Sequence, residues 1–115
     1  ITVQQYGKGL LIRRKPGPAD IKAAQKGYAD VREALRQRQY DVVIMDEANV
    51  AVHYGLLSVE DLLDLMKEKP KDVELVITGR YADQRIMDAA DLVTEMKEIR
   101  HYWSKGTQAR RGIEK

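Results

Sequence analysis

The chain has 115 residues, of which 43% are hydrophobic and 33% charged, with a net charge of +2 and no cysteine. That length carries one compact domain over 1–115, and the composition is that of a folded chain. A disulfide framework, a thiolate metal site and a catalytic thiol are excluded, and no apolar run reaches the length of a bilayer span.

No charged-then-apolar leader precedes the first element, so the chain reads as cytoplasmic, without a membrane partner. Residues 1–6 (ITVQQY) have the pattern of a short strand, and GKGLLIRRKPGP after them is a Gly- and Pro-punctuated loop. Asp20 is a candidate cap for a helix over about 20–38, whose apolar residues Ile21, Ala24, Tyr28, Val31 and Leu35 recur at three- and four-residue steps. Residues 42–45 (VVIM) form a continuous apolar run, the signature of a strand covered on both faces. Ser58-Val-Glu-Asp61 fits a capping box, and the helix it opens places Val59, Leu62, Leu63 and Met66 on one face before Pro70. Residues 73–78 (VELVIT) predict a second core strand. GRYAD and a short helix with Ile86, Met87 and Ala90 follow, and residues 91–96 (DLVTEM) predict a last strand. The order of elements implies an α/β fold, a parallel sheet with helices on both faces and right-handed crossovers.

The charge is uneven. Residues 97–115 hold six Lys/Arg against two Glu and read as a basic irregular tail. Arg100, His101, Tyr102, Trp103, Lys105, Arg110 and Arg111 would suit phosphate neutralisation and stacking on nucleic acid, although the stretch carries no nucleic-acid motif. A solvated terminus is the plainer reading.

Ligands of parallel sheets gather at the carboxyl ends of the strands, and the first core strand ends in Asp46 and Glu47. An apolar strand running into two acids is a Walker B pattern, in which the carboxylates hold Mg²⁺ directly or through its waters. Acids that merely open a loop are the alternative. The second strand ends in Thr78-Gly79-Arg80, a hydroxyl, a flexible backbone and a guanidinium suited to phosphate. A turn glycine beside a surface arginine is the alternative there. No GxxxxGK[ST] cradle occurs, and Gly7-Lys8-Gly9 lacks the Ser or Thr that would reach Mg²⁺. His53 and His101 have no zinc-ligand spacing. His53 beside Tyr54 either lines a pocket or is a partly buried structural histidine.

Four segments together carry a resemblance: YDVVIMDEANVAVHYGLLSVEDLL, VELVITGR, ADLVTEM with KEIRHYWSKG, and the closing ARRGIEK. In this order and spacing the chain resembles the P-loop type of ATP:corrinoid adenosyltransferase, from about Ile1 to its end. The resemblance implies a RecA-like P-loop NTPase sheet, ATP as co-substrate with Mg²⁺, and a corrinoid reduced to Co(I) by an electron-donor reductase. The implied reaction moves the 5′-deoxyadenosyl group of ATP to cobalt and releases triphosphate.

It further implies Mg²⁺ at Glu47, with Asp46 as metal-water partner, these two being the catalytic acids. Phosphate-side contacts fall on Thr78, Gly79 and Arg80. Gly106 to Ile113 resembles the family's Gly-x-x-Ala-x-x-Gly-Ile ending, which adds Arg110 and Arg111. Corrinoid contacts fall on His53 and Tyr54 and on Leu10, Leu11 and Ile12. The last three stand where some members have an aromatic Gly-Phe-Thr-Trp stretch.

The family's P-loop is expected to precede residue 1, making this chain about the last two-thirds of an enzyme, incomplete at its N-terminus and inactive alone. Open strand edges then predict self-association, as a homodimer or by strand exchange. A non-catalytic corrinoid- or partner-binding module is the alternative, and a nucleic-acid partner is not expected.

Overall fold

A computed structural model describes residues 1–7 and 15–112. In chain order the elements are α1 (Pro18–Arg36), β1 (Val42–Met45), α2 (Ala48–His53), α3 (Val59–Glu68), β2 (Glu74–Ile77) and α4 (Gln84–Ala89), then a 3₁₀ turn at Tyr102–Lys105.

Helix α1 begins two residues before its expected start. Pro18 occupies the first turn, where a missing N–H costs nothing, and the Asp20 carboxylate accepts the Gly17 N–H at 2.9 Å from inside the helix. Asp20 is therefore not the cap but the third helical residue. The capping box before α3 forms as expected, with the Ser58 hydroxyl accepting the Asp61 N–H at 3.0 Å and Asp61 accepting the Ser58 N–H at 2.8 Å. The apolar face it launches is the centre of the core: Leu62 and Leu65 are fully buried, joined by Leu35 of α1, Val43 of β1, Val73 before β2 and Ile86 of α4. Around this core, Arg32 of α1 pairs with Glu68 of α3, and Arg85 of α4 reaches Glu60 of α3 at 2.7 Å.

Strands β1 and β2 pair in parallel, with Val42 opposite Glu74, Val43 opposite Leu75, Ile44 opposite Val76 and Met45 opposite Ile77. A parallel pair joined through α2 and α3 is a βαβ unit, as the alternation of patterns implied. The expectation of helices on both faces is not met among the described residues. Val43, Met45, Leu75 and Ile77 turn inward, whereas Val42 is 52% exposed, Ile44 62% and Val76 40%. An unbroken apolar run does signal two buried faces, but only when elements exist to cover both.

Two expected strands are also absent. Residues 1–6 and 91–96 make no ladder, and Leu92 and Met96 stand 83% and 93% exposed. Strand propensity is realised only against a partner edge, because unpaired N–H and C=O groups are otherwise left to water. The first segment is anchored instead by Tyr6. Its ring lies so close to Gly27 that a Cβ there would sit 2.9 Å from Tyr6 Cγ, and its hydroxyl donates to Asp30 at 2.8 Å. Burial, reinforced by that carboxylate, pushes the Tyr6 phenol up to about 12.

Among the described residues no helix is long and apolar enough to cross a membrane.

Candidate functional site

The carboxyl ends of the two strands lie side by side. Immediately after β1, Asp46 and Glu47 lead into α2, and immediately after β2 come Thr78, Gly79 and Arg80. Four hydrogen bonds join the two endings at Thr78. Its N–H donates to the Met45 carbonyl at 3.1 Å, and its carbonyl accepts the Asn49 N–H at 3.2 Å. Its hydroxyl accepts the Glu47 N–H at 3.0 Å and donates to Asp46 Oδ1 at 2.7 Å.

This stitching forces unusual backbone. Glu47 adopts a left-handed conformation at φ 59°, which costs an L residue about 1–2 kcal/mol. Gly79 has φ +118°, and a Cβ on it would lie 3.2 Å from Glu47 Cα, 3.3 Å from Glu47 Oε2 and 3.3 Å from the Val50 nitrogen. Gly79 is thus where the two strand endings touch backbone to backbone.

Electrostatically the pair is open. Asp46 and Glu47 are both exposed, and among the described residues neither forms an ion pair with Lys or Arg. Arg80 is exposed and also lacks a carboxylate partner among those residues, in contrast to Arg85, which is held by Glu60 and Asp83. No group of three or more His, Asp or Glu side chains suited to a metal occurs among the described residues. Two carboxylates at one point are not an all-protein cage, but they match the one or two that Mg²⁺ takes when phosphate and water supply its other oxygens.

Beyond the acids lies an aromatic group. His53, at the end of α2, stacks on Tyr81 with ring centroids 4.3 Å apart and an interplanar angle of 27°. Tyr54 meets the same imidazole edge-on at 5.1 Å. His53 is exposed, so the partly buried structural histidine is corrected. Tyr81, at φ 64° just past Arg80, escaped the sequence reading. An aromatic in the loop at the end of a parallel strand was the available signal.

The other candidates lie elsewhere. Leu10, Leu11 and Ile12 are outside the described residues. The Arg110 guanidinium lies over the Tyr102 ring, 5.4 Å from its centroid, within the tail, and Arg111 is exposed in the turn that follows. A groove of about 440 Å³ runs between residues 2–6, α1 and β1, lined by residues including Tyr6, Lys26, Asp30 and Ile44, and neither the acid pair nor Arg80 lines it.

Comparison with known proteins now bears on these residues. The family described as ATP:corrinoid adenosyltransferase BtuR/CobO/CobP matches residues 1–114. The chain is 33% identical to a corrinoid adenosyltransferase of Sinorhizobium sp. over 109 residues, covering 94% of this chain and 51% of that protein. With the corrinoid adenosyltransferase of Pseudomonas aeruginosa it shares 30% identity over 114 residues, 99% of this chain and 56% of that one. An uncharacterised protein of Nostoc sp. is 39% identical over 82 residues, 71% of this chain and 22% of its own length. The chain spans about half the length of the curated adenosyltransferases it matches, less than the two-thirds the resemblance implied. With the match running through both strand endings, the chain belongs to the ATP:corrinoid adenosyltransferase BtuR/CobO/CobP family.

Proposed function

We propose that this chain supplies the acid-bearing part of an enzyme that transfers the 5′-deoxyadenosyl group of ATP to the Co(I) centre of a corrinoid. One observation carries the reading: an Asp46–Glu47 couple with no Lys or Arg ion-pair partner among the described residues lies beside Thr78-Gly79-Arg80 on the next parallel strand, inside a family match that runs from residue 1 to 114.

The chemistry explains why such a site suffices. Reduced cobalt attacks the ribose C5′ with its own electron pair. The Co–C bond forms as the C5′–O bond breaks, triphosphate leaves with the bonding electrons, and cobalt ends formally as Co(III). Because Co(I) is already a strong nucleophile, no side chain has to activate water. The demand is to stabilise charge on the leaving triphosphate.

Asp46 and Glu47 offer the hard oxygen donors that would hold Mg²⁺, Glu47 directly and Asp46 through a metal-bound water. The ion would supply charge neutralisation at the phosphates. Arg80 is available to take a phosphate oxygen on the same side. The stacked His53 and Tyr81, with Tyr54 edge-on to the imidazole, offer an aromatic surface to a corrinoid, and Leu10–Ile12 are proposed to add to it. Generating Co(I) calls for an electron-donor partner of the reductase kind.

The 115 residues contain no GxxxxGK[ST], so we infer that they do not turn over ATP alone. The test joins these residues to a P-loop segment of the same family and follows corrinoid absorbance with MgATP and Co(I)-cobalamin. Adenosylation that Glu47→Ala abolishes is the expected result. Corrinoid binding with no adenosylation, or activity indifferent to Glu47→Ala, would defeat the proposal.

A further inference from the structure

The reading of Thr78 as a phosphate contact sits poorly with its hydrogen bonds. A threonine hydroxyl has one proton, and here that proton goes to Asp46 Oδ1 at 2.7 Å. With its lone pair it also accepts the Glu47 N–H at 3.0 Å, so the group has no donor left for a phosphate oxygen. Its backbone is equally engaged, with Met45 on one side and Asn49 on the other. All four bonds fall on the five residues Met45 to Asn49, the turn that carries both acids.

We propose that Thr78 is a positioning residue. Its hydroxyl bridges the two strand ends, turns Asp46 so that one oxygen is held and the other is left for a water of the cation, and fixes the left-handed peptide at Glu47. The inference rests on the reading of Asp46 and Glu47 as the acids that take a divalent cation. The hydroxyl then acts on the cation only through the carboxylates. Residues that orient metal ligands without touching the metal typically change its affinity 10- to 100-fold when replaced.

Two features of the local backbone agree. Glu47 is strained at φ 59°, and such a conformation persists only where its surroundings over-determine it. The bond from its own N–H to Thr78 is one such constraint. Gly79, next in sequence, lets the two endings approach closely enough for that bond to form, with its hypothetical Cβ 3.2 Å from Glu47 Cα.

The test compares Thr78→Val, which keeps the branched shape and removes the hydroxyl, with Thr78→Ser, which keeps the hydroxyl. Mn²⁺ serves as the probe, titrated by electron paramagnetic resonance in the presence of ATP, and amide hydrogen exchange is read at Glu47. Circular dichroism first establishes that each variant folds.

Thr78→Val is expected to weaken Mn²⁺ binding about tenfold or more and to speed exchange of the Glu47 amide. Thr78→Ser is expected to restore both. A merely structural threonine would lower stability without moving Mn²⁺ affinity. If Asp46→Asn and Glu47→Gln weaken Mn²⁺ binding while Thr78→Val leaves it within about twofold of the parent, well short of the expected range, the positioning role is overturned and the acid reading stands. If neither acid substitution moves Mn²⁺ affinity, the acid reading is wrong and the positioning role falls with it.

Discussion

Replacing Gly79 by alanine tests the close approach of the two strand endings most directly. Two costs combine. The φ of +118° is one that L side chains rarely adopt, a strain of about 1–3 kcal/mol. The new Cβ would also meet Glu47 Cα at 3.2 Å and the Val50 nitrogen at 3.3 Å, both backbone atoms that move only with the turn, and such overpacking costs about 1–3 kcal/mol. Together they come to about 2–6 kcal/mol, a large share of the roughly 5–15 kcal/mol that holds a domain folded. Gly55 is the internal control, since it also has positive φ, +71°, but a Cβ there meets nothing within 4 Å. Gly55→Ala should therefore cost only the conformational part, about 1–2 kcal/mol. Urea unfolding followed by circular dichroism reads both. At a slope of about 1–3 kcal/mol per molar urea, a 3 kcal/mol loss lowers the midpoint by roughly 1–3 M. Equal losses for the two substitutions would refute the claim that backbone contact at Gly79 sets the geometry of the acid turn.

Two further outcomes follow from the core and from the first segment. Leu62→Ala, at a fully buried position, should cost about 2–5 kcal/mol in the same unfolding assay, and a loss under about 1 kcal/mol would mean that α3 is not the centre of the core. Tyr6 has a phenol pushed from 10.0 to about 12 by burial and by Asp30, so its contribution to stability is complete below pH 10 and is lost as pH climbs toward 12. Phenolate absorbance should show Tyr6 titrating late, beside Tyr28, whose phenol burial also raises, and Asp30→Asn or Gly27→Ala should bring the Tyr6 phenol back toward 10. Loss of the late titration in neither variant would mean that Tyr6 does not rest on α1.

What the sequence allowed to be read follows a physical division. The capping box at Ser58 and the apolar steps of α1 specify themselves, because each depends on neighbours a few residues away, whereas the strand at 42–45 forms because residues 74–77 supply its edge. The strands expected at 1–6 and 91–96 depend on an edge supplied by other chain, which local pattern does not encode, and both runs lie unpaired. Helix α2 was missed because six residues opened by a left-handed Glu47 carry no cap signal. At the candidate site, the residue types and strand-end positions of Asp46, Glu47, Thr78 and Arg80 were legible. The role of Thr78 was not, since its two side-chain bonds reach 31 and 32 residues back along the chain. Tyr81 was overlooked for the same reason: its stack on His53 exists only once two loops meet.

The left-handed turn at Glu47 sets stability against use. A glycine or asparagine would occupy φ 59° at less cost than a glutamate, so replacing the acid relieves about 1 kcal/mol of strain while deleting the oxygen donors. A thermostability screen run on this chain alone would therefore enrich variants that had lost Glu47, and a library ranked by melting temperature would drift away from the carboxylate proposed to hold the cation.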